Sequence, residues 1–288
     1  MDMHVIDTCR EMSAFSAGLR KAGRTIGFVP TMGALHEGHY SLMRRARADN
    51  DAAAASVFVN PAQFGQNEDL AKYPRTFDSD LTGCEKAGVS VVFAPTPAEM
   101  YPAGFDTCVI QERLAGVMCG ASRPGHFRGV LTVCCKLFNV VSPDAAYFGQ
   151  KDYQQCQVIK RMAADLCLPL RIVVCPTVRE PDGLAMSSRN RYLSFAERLD
   201  AVCLFHALKL AEQLVADGAT STYAIIGAME GVINKVPTAR IDYITIADAE
   251  SLQPLDMLQG RAVAALAVKI GSTRLIDNML IGPPAIRT

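Results

Sequence analysis

The chain has 288 residues, enough for one large domain or two modest domains with a sizeable core. Half of its residues are hydrophobic and 20% are charged, a composition typical of globular proteins. Lys plus Arg equals Asp plus Glu at 29 each, so no overall basic charge attracts nucleic acid or an anionic membrane, and neither is expected as a partner.

Neither a membrane span nor a disulfide framework is predicted. No run of about 18 uncharged apolar residues occurs, and the polar, acidic segment of residues 1–10 does not resemble a signal peptide. The ten cysteines include no C-x-x-C pair and lie in apolar surroundings, so we expect small, buried, reduced side chains. These features predict a cytoplasmic protein.

Short apolar runs alternate with helical patterns over the first 175 or so residues. The runs lack polar alternation, which is typical of strands buried on both faces, and the intervening helices predict crossover connections. The predicted strands are 25–29, 53–59, 89–93, 145–148 and 170–174, and the predicted helices are 40–48, 77–87 and 154–165. We therefore expect an α/β domain with a Rossmann-like, doubly wound parallel sheet that binds ligands at the carboxyl ends of its strands.

The pattern changes after Pro176. Helical patterns at 195–216 and 223–236 are followed by strand-like runs at 241–247 and 262–270, which predicts a smaller α+β domain. We place the boundary at residue 177, which gives domains of residues 1–177 and 178–288.

The segment P-T-M-G-A-L-H-E-G-H at residues 30–39 connects the first predicted strand to the first predicted helix. Backbone N–H groups at such a turn are expected to point outward without partners, and the helix dipole adds partial positive charge, so the place suits phosphate. His36 and His39 add further donors, although two partly exposed histidines at a helix start remain an alternative. The zinc spacing H-E-x-x-H is missed by one residue, and no P-loop or G-x-G-x-x-G is present.

Two cationic side chains lie in segments that could also contact phosphate. Lys151, in F-G-Q-K-D-Y-Q-Q, lies between a predicted strand and a predicted helix, where it could clamp a phosphoryl group or be a solvated charge. Arg189 follows two hydroxyl residues in M-S-S-R-N at 186–190, and its forked donors suit phosphate.

Two polar segments could hold a small substrate. Asn60 and Gln63, in F-V-N-P-A-Q-F, follow a predicted strand and could hydrogen-bond a substrate or merely cap a turn. The basic, turn-like segment R-P-G-H-F-R-G at 123–129 could line the cleft or form a surface loop.

Taken in order and spacing, these motifs resemble the pantothenate synthetase (pantoate–β-alanine ligase) family, within the H-x-G-H nucleotidyltransferase superfamily. The similarity runs from about residue 25 to about residue 280 and includes R-L-I-D-N at 274–278. It implies an ATP-dependent ligase that joins pantoate to β-alanine through a pantoyl adenylate, releasing AMP and pyrophosphate. It also implies Mg²⁺ accompanying ATP, a C-terminal domain that acts as a lid, and a homodimer.

The resemblance assigns roles to individual residues. It implies that His36, His39, Lys151 and Arg189 are catalytic, with His39 as a proton donor. It implies an ATP site of Pro30, Met32, Gly33, Ala34, Leu35, His36, Glu37, Gly38, His39, Gly149, Gln150, Lys151, Asp152, Val178, Met186, Ser187, Ser188 and Arg189. It implies substrate contacts from Gln63, Gln155, Asn60 and Arg123, and no protein ligand of Mg²⁺ is assigned.

The resemblance has one departure and leaves rival functions open. Gln150 stands where the family motif more often has glutamate, which removes a negative charge beside Lys151. Another adenylate-forming ligase or nucleotidyltransferase, or an inactive nucleotide sensor, remains an alternative. A tRNA synthetase is disfavoured because the chain has neither an anticodon-binding extension nor a basic excess.

Overall fold

A computed structural model describes residues 3–66 and 68–282 of the chain. The fold consists of two compact units, each of which packs mainly within itself. The N-terminal unit comprises residues up to Ala115, Arg123–Gln150 and Gln155–Pro176, and the C-terminal unit comprises Gly116–Ser122, Lys151–Gln154 and the residues from Thr177 onward. The assignment of separate functional domains at residues 1–177 and 178–288 stays a prediction.

The chain alternates strands and helices through its first 175 residues. The strands are β1 His4–Ile6, β2 Ile26–Thr31, β3 Ala52–Val57, β4 Val91–Phe93, β5 Ala145–Gly149 and β6 Arg171–Cys175, followed by β7 Ala239–Asp248, β8 Ala262–Ile270 and β9 Thr273–Ile281. The helices are α1 Cys9–Lys21, α2 Glu37–Asp49, α3 Phe77–Lys86, α4 Pro97–Met100, α5 Met118–Ser122, α6 His126–Val141, α7 Tyr153–Asp165, α8 Phe195–Asp200, α9 Cys203–Ala216 and α10 Thr222–Ile233.

The N-terminal unit contains a six-stranded parallel sheet in the order β1-β4-β3-β2-β5-β6. From β2 the chain moves outward through β3 and β4, then crosses back to β5 on the other side of β2. The topological switch point therefore lies between β2 and β5, where ligands of doubly wound sheets bind. The H-x-G-H segment follows β2 and Lys151 follows β5. The predicted Rossmann-like α/β fold is confirmed.

Close packing of α2 on the sheet positions the start of that helix. A side chain at Gly27 of β2 would place its Cβ 2.5 Å from Asn50 Nδ2 and 2.9 Å from the Ala46 carbonyl oxygen, so glycine is required there. Asn50 Nδ2 donates to Ala46 O at 2.9 Å and to Tyr147 Oη at 2.8 Å, which ties the end of α2 to β5. The buried alanines of β3 keep the sheet surface beneath the helices flat.

The C-terminal unit is the predicted smaller α+β structure. Its antiparallel sheet has the order β7-β8-β9, and central β8 is buried along nearly its whole length. The apolar faces of α9 and α10, which carry Leu204, Leu208 and Met229, share one core with β8. This burial accounts for the stability of a three-stranded sheet, which needs a covering layer.

Several element predictions were wrong or incomplete. The pattern at 195–216 is two helices, because the chain turns at Ala201 and Val202, where Ala201 is fully buried and Asp200 accepts a 2.6 Å hydrogen bond from Thr238. Strands β1 and β9 and helices α1, α4, α5 and α6 were not predicted. The segment 123–129 is a turn only in its first half, since α6 begins at His126.

The cysteines agree largely with expectation. All ten cysteines lie within the described residues and none forms a disulfide; six are buried, but Cys167 is exposed in the left-handed turn after α7. Within residues 3–66 and 68–282, no helix is long and apolar enough to cross a membrane.

Candidate active site

A buried carboxylate holds the loop between β2 and α2. Gly33 and Ala34 adopt the left-handed conformation, with φ of 81° and 51°. Asp80 of α3 is 1% exposed and accepts the N–H groups of Ala34 at 2.9 Å and Leu35 at 2.8 Å. A left-handed alanine costs about 1–2 kcal/mol. The charge-assisted hydrogen bonds to Asp80 offset that cost, so this residue fixes the path of the loop.

The two histidines cap helix α2 reciprocally. Nδ1 of the N-cap residue His36 accepts the Gly38 N–H at 3.2 Å, and the His36 N–H donates to Nδ1 of His39 at 3.4 Å. Their ring centroids lie 4.1 Å apart. A capping box normally uses a hydroxyl and a carboxylate. Because both Nδ1 atoms accept, each neutral ring carries its proton on Nε2 and is a hydrogen-bond donor there.

The expectation that the N–H groups of this loop lack partners was wrong. Besides the groups held by Asp80 and by the two rings, the Gly33 N–H donates to Thr31 Oγ1 at 3.2 Å. The protein itself satisfies these donors because they would otherwise be buried without partners. These backbone N–H groups are therefore engaged within the protein, and the dipole of α2 is the feature of this turn that still favours an anion.

A second polar cluster lies at the end of β3. Asn60 caps the 3₁₀ turn Pro61–Gln63 by accepting the Ala62 N–H at 3.3 Å. Its Nδ2 donates to Gln63 Oε1 at 3.0 Å and to Gly129 O at 3.1 Å. Tyr101 donates to Asn60 Oδ1 at 2.7 Å. The amide of Asn60 is thus engaged within the protein, and its predicted role as a substrate contact stays a prediction.

Arg123 is paired with Glu68 in the structure. Its guanidinium donates to the two carboxylate oxygens at 2.6 and 2.7 Å and lies 3.0 Å from His126 Nε2. Burial raises the pKa of Glu68, but the hydrogen bonds and charge of Arg123 outweigh it and leave that pKa below its ordinary value of 4.5. His126 Nδ1 lies 2.9 Å from the Gln63 carbonyl oxygen. Arg123 therefore contacts His126, which in turn contacts the backbone of Gln63. The predicted contact of Arg123 with substrate stays a prediction.

In the C-terminal unit, strand β9 anchors two predicted site segments. Asn278 Nδ2 donates to the backbone carbonyl of Lys151 at 2.9 Å. Asp277, 3% exposed, accepts both terminal nitrogens of Arg179 at 2.6 and 3.0 Å. The ammonium group of Lys151 lies 3.7 Å from Asp152 Oδ1. The D-N pair of R-L-I-D-N thus holds the backbone at Lys151 and the side chain of Arg179, which precedes the segment M-S-S-R-N at 186–190.

The segment M-S-S-R-N at 186–190 begins beside Val178. The Met186 N–H donates to Val178 O at 3.0 Å, so these two predicted ATP-site residues are adjacent. Ser187 Oγ accepts the Arg189 N–H at 3.3 Å and caps the 3₁₀ turn Ser188–Tyr192. In the N-terminal unit, Gln155, a predicted substrate contact, lies half-buried in the first turn of α7.

A family model for pantoate-beta-alanine ligase matches residues 4–280. The chain belongs to the pantoate-beta-alanine ligase family. Pantothenate synthetase from Moorella thermoacetica is 53% identical over 279 residues, which cover 97% of this chain and 99% of that protein. The crystal structure of pantothenate synthetase from Thermus thermophilus is 44% identical, covers 98% of this chain and 100% of that chain, and superposes with a TM-score of 0.92.

A further ligase of the family has been solved with small molecules. The pantoate-beta-alanine ligase from Francisella tularensis, complexed with beta-gamma ATP and beta-alanine, is 34% identical and has a TM-score of 0.81. The similarity covers 97% of this chain and 98% of that chain. The identification of the family from its motifs is therefore confirmed.

Sequence reasoning missed three residues that shape this ligase. Asp80 looked like an ordinary acidic residue in the first turn of a helix, and only its burial shows that it holds the β2–α2 loop. Tyr101 lies far from Asn60 in sequence and gave no signal. Gly129 lies in the motif at 123–129, but the requirement for glycine there comes from packing, because a Cβ would lie 2.2 Å from Ala62 O. Across the described part of the chain, no group of three or more His, Cys, Asp or Glu could hold a metal ion.

Proposed function

We propose that this protein joins pantoate to β-alanine at the expense of ATP, forming pantothenate, AMP and pyrophosphate through pantoyl adenylate. The observation that carries the proposal is the family match over residues 4–280, which includes the histidine capping box at the start of α2. The Francisella tularensis relative, solved with beta-gamma ATP and beta-alanine, supports the same two small molecules here.

In the first half-reaction, a carboxylate oxygen of pantoate attacks the α-phosphorus of ATP and pyrophosphate leaves. Negative charge grows on the α-phosphate and on the leaving group, so donors aimed at those oxygens lower the barrier. We assign hydrogen-bond donation to the Nε2–H groups of His36 and His39, and charge neutralisation to Lys151 and Arg189. That His39 also transfers a proton stays a prediction.

In the second half-reaction, the neutral amine of β-alanine attacks the acyl carbon of the adenylate. A C–N bond forms, the acyl C–O bond breaks, and AMP leaves with the oxygen that came from the pantoate carboxylate. The mixed anhydride hydrolyses readily, so water must be kept away between the two steps. The prediction that the C-terminal domain acts as a lid addresses that need.

The remaining assignments rest on family resemblance. We propose the ATP and substrate contacts named from the motifs, with Mg²⁺ entering on the phosphate oxygens of ATP, since Mg²⁺ binds substrate phosphates readily. The homodimer and the cytoplasmic location stay predictions.

The proposal is tested by incubating the protein with ATP, pantoate and β-alanine and separating the products by liquid chromatography with mass detection. AMP and pantothenate should form in equal amounts, and only when both substrates are present. ATP binding without turnover would favour the nucleotide sensor, and AMP release with other acids would favour a different ligase.

A variant pair tests the assigned charge. Lys151→Ala should lower the rate of pyrophosphate release by about two to three orders of magnitude, the scale of losing one transition-state donor. Lys160→Ala, which removes an exposed lysine of α7, is the matched control and should leave that rate unchanged. A near-normal rate for Lys151→Ala would remove that residue from the mechanism.

A further inference from the structure

The side chain of Gln63 ends a chain of hydrogen bonds that starts at Tyr101 and passes through Asn60. We propose that Tyr101 and Asn60 are positioning residues that turn the NH₂ end of Gln63 toward pantoate, so that this subsite selects a hydrogen-bond-accepting oxygen. The inference rests on the proposed function and deepens it.

Two backbone groups determine the orientation of the Asn60 amide. The Ala62 N–H can only donate, so the atom 3.3 Å from it is the amide oxygen Oδ1. The Gly129 carbonyl can only accept, so the atom 3.1 Å from it is Nδ2. Tyr101 Oη lies 2.7 Å from Oδ1 and therefore donates to it.

The orientation of Asn60 determines that of Gln63. Nδ2 of Asn60 has a second hydrogen, and the Gln63 atom 3.0 Å away must accept it, so that atom is Oε1. Nε2 of Gln63 then points away from Asn60 with two N–H groups, and it lies 3.1 Å from Met32 Sδ. A thioether is a weak acceptor, whereas a carboxylate or hydroxyl oxygen of pantoate is a strong one.

This chain of hydrogen bonds, the Tyr101–Asn60–Gln63 relay, is held rigidly. Asn60 is 1% exposed, and Tyr101 packs against Phe58 and Phe105 with ring centroids 6.3 and 5.1 Å away. Helix α6 packs against the 3₁₀ turn Pro61–Gln63 so closely that only glycine fits at position 129. Burial raises the pKa of Tyr101 to about 12, so the phenol remains a donor at every pH at which the enzyme would be assayed.

Asn60→Asp tests the relay with almost no change of shape. The new side chain, when ionised, still accepts from Ala62 and Tyr101, but it can donate neither to Gln63 nor to the Gly129 carbonyl. The Gln63 amide should then reverse and present Oε1 to the substrate oxygen. We expect the KM for pantoate to rise roughly tenfold to a hundredfold, with the KM for ATP changed by less than about threefold. Tyr101→Phe should raise the KM for pantoate by roughly threefold to tenfold.

A double-mutant cycle separates reorientation from the added negative charge. In a Gln63→Leu background, Asn60→Asp should change the KM for pantoate by less than about threefold, because the amide that it reverses is gone. Tyr147→Phe is the control for loss of a buried tyrosine hydrogen bond, since Tyr147 bonds Asn50 and Asp49 instead. It should lower stability without changing the KM for pantoate.

The relay is overturned if Asn60→Asp leaves the KM for pantoate within threefold of wild type, or if its effect persists undiminished without Gln63. An equal rise in the KM for ATP would also overturn it, because a general structural defect would then suffice. Failure of the proposed function is distinguishable, since the wild-type protein itself would then make no pantothenate.

Discussion

Substitutions at His36 separate the two roles that the structure gives this ring. Nδ1 accepts the Gly38 N–H at 3.2 Å and caps the 13-residue helix α2, whereas Nε2–H is the proposed donor to phosphate. Asparagine is among the best N-cap residues, and its side-chain oxygen lies about where Nδ1 does, so His36→Asn keeps the cap and removes the donor. His36→Ala removes both.

The two variants should therefore differ in stability but not in catalysis. Loss of an N-cap costs about 1 kcal/mol, so His36→Ala should unfold roughly 2–4 °C below wild type, and His36→Asn within about 1 °C of it. Loss of one transition-state donor costs about 2.7–4 kcal/mol in activation free energy. Both variants should thus release pyrophosphate about a hundredfold to a thousandfold more slowly in a single turnover with pantoate.

Thermal unfolding and rapid-quench measurement of pyrophosphate provide the two readouts. Thr8→Ala is the matched control, since Thr8 caps α1 through a 3.2 Å bond from the Glu11 N–H and has no proposed part in catalysis. It should lower stability as His36→Ala does and leave the rate unchanged. Near-normal pyrophosphate release by His36→Asn would refute the reasoning, because it would show that the cap alone matters.

Three further predictions concern stability and reactivity. Asp80→Asn should lower the free energy of unfolding by about 2–4 kcal/mol in urea denaturation, since the new NH₂ group faces backbone donors; a loss below about 1 kcal/mol would contradict the assigned role. The Arg123 ion pair lowers the pKa of Glu68, so its contribution is complete above pH 4.5 and declines as the pH falls below that value. The stability difference between wild type and Glu68→Gln should follow that course, and a pH-independent difference would contradict it. Iodoacetamide should label exposed Cys167 in the folded protein but reach Cys84, whose pKa burial raises to about 12, only after unfolding; equal labelling would argue against the packing.

The sequence predicted the parallel sheet because its buried strands are continuous apolar runs with helices between them. It missed β1, which has only three residues, and β9, whose buried positions include the polar residues Asp277 and Asn278. Burial at β9 is decided by partners distant in sequence, Arg179 and Lys151, which a local pattern does not reveal.

Individual site residues could be named from the sequence only where they lie within long motifs. His36 and His39 could be named from the motif, but their mutual capping depends on how the loop bends around Asp80. Likewise, the sequence left Asn60 as either a substrate contact or the cap of a turn, because its amide suits both. Its burial under α6 and its bond from Tyr101 are tertiary features.

The central claim is that pantoate is activated as an adenylate, and the fate of the carboxylate oxygen tests it most directly. Pantoate labelled with ¹⁸O in its carboxylate is converted with ATP and β-alanine, and the ¹⁸O content of the phosphorus-containing products is measured by mass spectrometry. The account predicts one ¹⁸O atom in each AMP and none in pyrophosphate. Label in inorganic phosphate, with ADP as the nucleotide product, would indicate an acyl phosphate and contradict the account.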